Sequence, residues 1–170
     1  MTLLLPAAAL LLAGCEKQPP AAAAGPEPAL EAVFLAAAPA AAKPIHLART
    51  TAKPGDELVL SGRVMGAAEP FVAGRAAFLL GDPEKLTPCN EHPGDQCATP
   101  WDTCCDTPEA KREGTATIQV LGPDGRVLAA AIEGVHGLRK LSRVVVKGTV
   151  AEGSGPQALV INATGIHVAP

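Results

Sequence analysis

Residues Glu57 to Met65 read ELVLSGRVM, with Leu58, Leu60 and Val64 on one side of an extended chain and Glu57, Ser61 and Arg63 on the other. An apolar period of two marks a half-buried β-strand, because successive side chains of a strand point to opposite faces. The alternation recurs downstream. Ala76, Phe78 and Leu80 form a second set and Ile118 with Val120 a third, followed by Gly122-Pro123-Asp124-Gly125, a strong turn signal. The turn predicts a return strand over Val127–Ile132. Val144, Val146 and Val150 alternate with Arg143, Lys147 and Thr149, and Leu159–Val168 is β-branched and interrupted at Gly165, a predicted bulge or bend. Five or six short strands between residues 54 and 170, with no internal repeat, predict a mainly β domain built as a small barrel or sandwich.

Three segments narrow this further: GDELVLSGRVMG from Gly55, LRKLSRVVVKGTV from Leu138 and ALVINATGIHV from Ala158. Together they resemble the oligonucleotide/oligosaccharide-binding (OB) fold. In that family a stretch opening on leucine and basic residues and running through alternating valines to a glycine forms a barrel strand, and a strand of small and aliphatic residues closes the barrel. The resemblance covers residues 55 to 168 and implies a five- to six-stranded OB-like barrel. It does not carry the fold's best-known role with it. Single-strand binding needs a basic groove and aromatic platforms, whereas this chain has a net charge of −3, no Tyr, and in its domain only Phe71, Phe78 and Trp101. A nucleic-acid partner is therefore not expected.

Upstream of the strands the composition changes. Of the first 42 residues 16 are Ala, and Pro19, Pro20, Pro26, Pro28 and Pro39 punctuate them. Proline blocks a long helix and alanine offers little area to bury, so residues 15–53 are expected to form a disordered Ala/Pro-rich tether. Within it a short helix before Pro39, anchored by Phe34 and Leu35, and one helical turn in residues 44–53 are the only structure expected. The chain opens with MTLLLPAAALLLAGC. Its apolar run, Leu3 to Leu12, is too short for a hydrocarbon core that takes about 20 residues to span, and it matches the core of a secretory signal. Leu12-Ala13-Gly14-Cys15 resembles the bacterial lipobox. That resemblance implies that residues 1–14 are a signal peptide, that Cys15 is acylated, and that the protein is exported and lipid-anchored to a bacterial membrane, facing the periplasm or the cell exterior.

The chemically distinctive segment is Asp82–Gly114, which separates the second and third predicted strands. It carries eight acids against three bases, five prolines, and the four cysteines that remain after Cys15, spaced Cys89-x7-Cys97-x6-Cys104-Cys105. Three chemistries fit. An even cysteine count in an oxidising compartment points to two disulfides stapling a loop that has almost no core of its own. Vicinal Cys104–Cys105 pairing is strained, which leaves Cys89–Cys104 with Cys97–Cys105, or Cys89–Cys105 with Cys97–Cys104. Alternatively, Cys89, His92, Cys97, Cys104 and Cys105 supply soft and borderline ligands for Zn²⁺ or Cu⁺, although structural zinc sites favour cysteines two to four residues apart. The third chemistry is thiol–disulfide exchange, for which no Cys-x-x-Cys is present. Trp101 and Asp102 are candidates for contacting a partner.

Catalytic signals are weak elsewhere. His46, His136 and His167 are scattered, and Ser61, Ser142 and Ser154 lack the strand–turn–helix setting of a nucleophile elbow. The chain resembles uncharacterised exported bacterial lipoproteins with an OB-like domain, a resemblance that implies no activity. The expectation is a non-enzymatic envelope lipoprotein without a cofactor, presenting a disulfide-stapled acidic loop to a protein or glycan partner. A Zn²⁺- or Cu⁺-binding lipoprotein is the alternative, and a thiol oxidoreductase the third.

Overall fold

The computed structural model describes residues 27–170. The signal segment, Cys15 and the first part of the tether lie outside the described residues. Five strands form the body: β2 (Glu57–Val64), β3 (Ala77–Gly81), β4 (Thr115–Gln119), β5 (Arg143–Val150) and β6 (Leu159–Val168); a two-residue β1 (Lys43–Pro44) precedes them. Their order is β1-β2-β3-β4-β6-β5, and a further pairing of β2 with β5 closes the last five into a barrel. Neighbours in the closed ring are antiparallel except β4 and β6, which run parallel. This closed, mixed five-stranded barrel is compatible with an OB-like fold. Closure removes the open edges that a small sheet would otherwise expose.

The alternation read from the sequence is the inside–outside alternation of the barrel. Leu60, Phe78, Leu80, Ile118, Val146, Ile161 and Ile166 are all fully buried and share one core cluster. The irregularity expected near Gly165 is present. Lys147 pairs with Gly165 but the next residue, Gly148, pairs with Ala163, so Thr164 is the extra residue of a bulge. The turn at Gly122–Gly125 also forms, with the Gly122 amide donating to the Arg126 carbonyl at 2.8 Å and Gly125 at φ +74°.

Two expectations are corrected. Val127–Ile132 is not a strand. It makes one isolated bridge, Leu121 to Val127, and lends Leu128 and Ile132 to the core. The reason is topological: β4 is already paired on one edge with β3 and on the other with β6, so a returning segment finds no edge to join. The linker reading fails for residues 28–53. Helical turns α1 (Pro28–Glu31) and α2 (Ile45–Arg49) flank β1, and Leu30, Ile45 and Ala48 are buried in the barrel core. Between the two turns, the Leu35 amide donates to the Ile166 carbonyl at 2.8 Å, and the Ile166 amide donates to the Val33 carbonyl at 2.7 Å. The turn expected in residues 44–53 is α2. The helix expected before Pro39 is the single turn α1, whose anchor is Leu30, while Leu35 stays 37% exposed. These residues form a strap across the barrel. Among the described residues, no helix is long and apolar enough to cross a membrane.

The insert leaves and re-enters the barrel at one point. Gly81 pairs with Thr115, and the Asp82 amide donates to the Gly114 carbonyl at 2.7 Å, so its ends are adjacent as the barrel topology requires. Its buried side chains, chiefly Leu86 and Cys89, lie outside the main core cluster. Replacing residues 84–112 by a short glycine-containing turn should therefore leave a cooperatively folding β domain. The cost should be about 2–3 kcal/mol, the burial of Leu86, as measured by a denaturant melt followed by far-UV circular dichroism. A non-cooperative transition would place the insert within the core.

Candidate functional site

The insert is an ordered excursion held by its own polar groups. Asp82 is fully buried, and its carboxylate accepts from the His46 backbone amide at 3.0 Å, contacts His46 Nδ1 at 2.8 Å and accepts from the Glu84 amide at 2.9 Å. The strap is thereby fixed to the root of the insert. The two limbs then pair: Cys89 donates its amide to the Asp102 carbonyl at 2.8 Å and Asn90 donates to the Pro100 carbonyl at 3.0 Å. Asp106 accepts from the Thr87 amide at 3.0 Å, Asp95 from the Cys97 amide at 3.1 Å, and Asp102 from the Thr103 amide at 2.7 Å. Glu91 forms an ion pair with Arg63 of β2. The returning limb ends in α3 (Pro108–Gly114), started by the Thr107 hydroxyl, which accepts from the Ala110 amide, and by Pro108 in the first turn.

These fasteners gather the sulfurs. Cys104 Sγ lies 3.3 Å from Cys89 Sγ, 3.9 Å from Cys97 Sγ and 3.9 Å from Cys105 Sγ. All four cysteines of the insert are free. The sulfurs of the expected disulfides are close but unbonded, none being at the bonding distance of about 2.05 Å. Two bridges need two separate pairs, whereas Cys89, Cys97 and Cys105 all have Cys104 as their near sulfur.

Cys89, Cys97 and Cys104 form a triangle in which every sulfur lies within 4.8 Å of the others. An ion held by thiolates at about 2.3 Å separates them by about 3.8 Å in tetrahedral and about 4.0 Å in trigonal geometry. Of the two edges on Cys104, the 3.9 Å edge to Cys97 matches those values, whereas the 3.3 Å edge to Cys89 is shorter and would open on binding. Among the described residues this is the one group of three or more ligand-type side chains so arranged. Of the five residues considered from the sequence for a metal, three converge. Cys105 touches the group only through Cys104, and His92 is not part of it. His92 keeps its Nε2 buried without a hydrogen-bond partner.

The three thiols differ in character. Cys89 is fully buried, and that burial, reinforced by its hydrogen bond with Cys104, pushes the thiol up to about 12. Cys97 is half-buried, and its hydrogen bond with Thr99, whose Oγ1 is 3.7 Å from the sulfur, holds the thiol below its usual value. Cys104 is exposed. Its hydrogen bond with Cys89 pulls it down, but the neighbouring Cys105 and Cys97 thiols and partial burial leave it raised. The triangle therefore runs from an interior sulfur, Cys89, held protonated to an outer one, Cys97, from which an approaching cation displaces the proton more easily.

Trp101 and Asp102, considered for a partner surface, both have internal partners. Trp101 donates its indole N–H to the Ala68 carbonyl at 2.7 Å, and Lys140 Nζ sits 4.2 Å from the ring centroid. Asp102 caps Thr103 and accepts the Cys89 amide through its carbonyl. Sequence reasoning missed Thr99, Arg63 and His46 as parts of this region. Arg63 and His46 act across 28 and 36 residues of chain, which no local pattern announces, whereas Thr99 lies two residues from the Cys97 it bonds. It also missed α3, whose Thr107-Pro108-Glu109 start is a legible cap. No protein-family model, no curated protein and no solved structure matches the chain.

Proposed function

We propose that this is an exported, lipid-anchored envelope protein whose barrel is a non-enzymatic platform for a loop that binds one thiophilic cation, Zn²⁺ or Cu⁺. The observation that carries the reading is the convergence of Cys89, Cys97 and Cys104 within 4.8 Å of one another, unlinked, on a loop held by other bonds. Thiolates are the ligands that such soft or borderline cations select. The net charge of the insert, eight acids against three bases, favours a cation there. The acids of the loop that are spent on amides and on Arg63 hold the sulfurs in place and leave coordination to sulfur.

The reduced full chain, loaded with Zn²⁺ or Cu⁺ and freed of excess, should retain one ion per chain. Cys104→Ala removes the sulfur shared by both short edges and should abolish retention. Equal retention by that variant would overturn the site. Anchoring is tested apart from binding. Acylation at Cys15 adds about 0.8 kcal/mol of membrane affinity per buried CH₂, so Cys15→Ser should shift the protein from the detergent phase to the aqueous phase or leave an unprocessed precursor. A variant that partitions and matures like the parent would remove the lipobox from the account and leave the metal site standing.

A further inference from the structure

We infer that the bound ion is exchangeable cargo, not a structural fastener, and that Cys105 is the ligand through which it leaves. The inference rests on the metal-binding reading above and adds to it a direction of transfer. Two independent observations support it.

The first is that the loop is already fastened. A structural zinc site contributes folding energy outright, because its loop is otherwise unfolded. Here the insert's ends are paired through Asp82 and Gly114, its limbs through Cys89 with Asp102 and Asn90 with Pro100, and Trp101 bonds to Ala68 on the barrel. None of these bonds uses a sulfur. The second observation is the placement of the fourth thiol. Cys105 is exposed and its sulfur lies 3.9 Å from Cys104, the same separation as that of Cys97 from Cys104. Cys104 is the pivot of both pairs, while Cys89 is fully buried on the inner side.

The step that follows is ligand exchange without redox change. The Cys105 thiol loses its proton to water and its sulfur forms a new bond to the ion. The bond to Cys89 breaks, and the freed Cys89 thiolate takes a proton from water. The ion, now on Cys97, Cys104 and Cys105 at the outer side of the loop, is open to an incoming thiol ligand. Adjacent cysteines hold one ion with poor geometry, which makes this outer state short-lived and suited to release.

The test uses the reduced full chain loaded with Zn²⁺, and separately with Cu⁺, with transfer followed to a small dithiol chelator. Cys105→Ser should leave equilibrium retention of the ion unchanged and slow transfer by about tenfold. The metal-free chain should keep the protected amides of the insert, including that of Cys89, in hydrogen exchange. Unchanged transfer in Cys105→Ser, loss of retention in that variant equal to the loss in Cys104→Ala, or collapse of insert protection on metal removal would each overturn the inference while leaving a metal site in place. Failure of the parent chain to retain either ion would overturn the binding reading itself.

Discussion

A chain that begins at Pro54 should not fold. Composition marks residues 15–53 as a tether, and a tether can be removed without consequence. In the structure the same cut strips Leu30, Ile45 and Ala48 from the core. It also deletes the pairing of β1 with β2, the backbone bonds between the strap and Ile166, and the His46–Asp82 contact at the root of the insert. Burying a Leu or Ile is worth about 1.5–3 kcal/mol. Leaving the barrel faces that these side chains cover open to water adds to the loss. The sum is comparable to the whole stability of a small domain, about 5–15 kcal/mol. The truncated chain should therefore give a non-cooperative denaturant melt. The single substitution Ile45→Ala in the full chain should cost about 2–5 kcal/mol, whereas Leu47→Ala, at a position 54% exposed, should be nearly neutral. A truncated chain that melts cooperatively at the parental midpoint would restore the tether reading.

The second large effect is expected at Gly148. This glycine has no need of a left-handed conformation. What it needs is room, because a Cβ there would lie 2.4 Å from the Asn162 carbonyl oxygen and 2.7 Å from Ile161 Cγ2. Both obstacles belong to β6 at the bulge, where the register slips past Thr164. A backbone carbonyl cannot swing aside as a flexible side chain can, so relief must come from separating β5 from β6. Overpacking of a well-packed core typically costs about 1–3 kcal/mol, occasionally more. Gly148→Ala should fall at the upper end of that range and Gly148→Val above it. Gly153→Ala, with open space around the position, is the matched control and should be neutral within error. A Gly148→Ala melt that coincides with the parent's would mean that β5 and β6 do not approach as described.

These two cases show what the sequence made legible. The barrel strands could be read because each repeats its apolar residue often enough for a period of two to stand out, as at Leu58, Leu60 and Val64. The strap could not. Its buried positions are single large residues, Leu30 and Ile45, set among alanines and prolines, and one anchor per turn creates no period. The return strand over Val127–Ile132 was predicted because a good turn precedes it, but local turn chemistry carries no information about which sheet edges are already taken. At the insert, clustered cysteines announced chemistry and the adjacency of its ends followed from topology. The state of the sulfurs did not. Counting cysteines gives an even number and hence pairs, whereas the folded loop puts one sulfur, that of Cys104, beside all three others. That convergence is set by Asp95 and Asp102 holding amides one or two residues away, by Asp106 holding the Thr87 amide across the loop, and by Arg63 reaching across from β2; the last two contacts exist only once the chain has folded.

The measurement that bears most directly on this account is the intact mass of the protein, extracted from membranes without reductant and weighed under non-denaturing conditions. Disulfide staples and a thiolate-bound ion leave different masses. The account predicts a mature chain carrying one Zn²⁺ or Cu⁺ ion, whose removal by acid yields a chain with all four loop thiols, Cys89, Cys97, Cys104 and Cys105, reduced. A chain without metal and four hydrogens lighter than that, the signature of two disulfides, would contradict it.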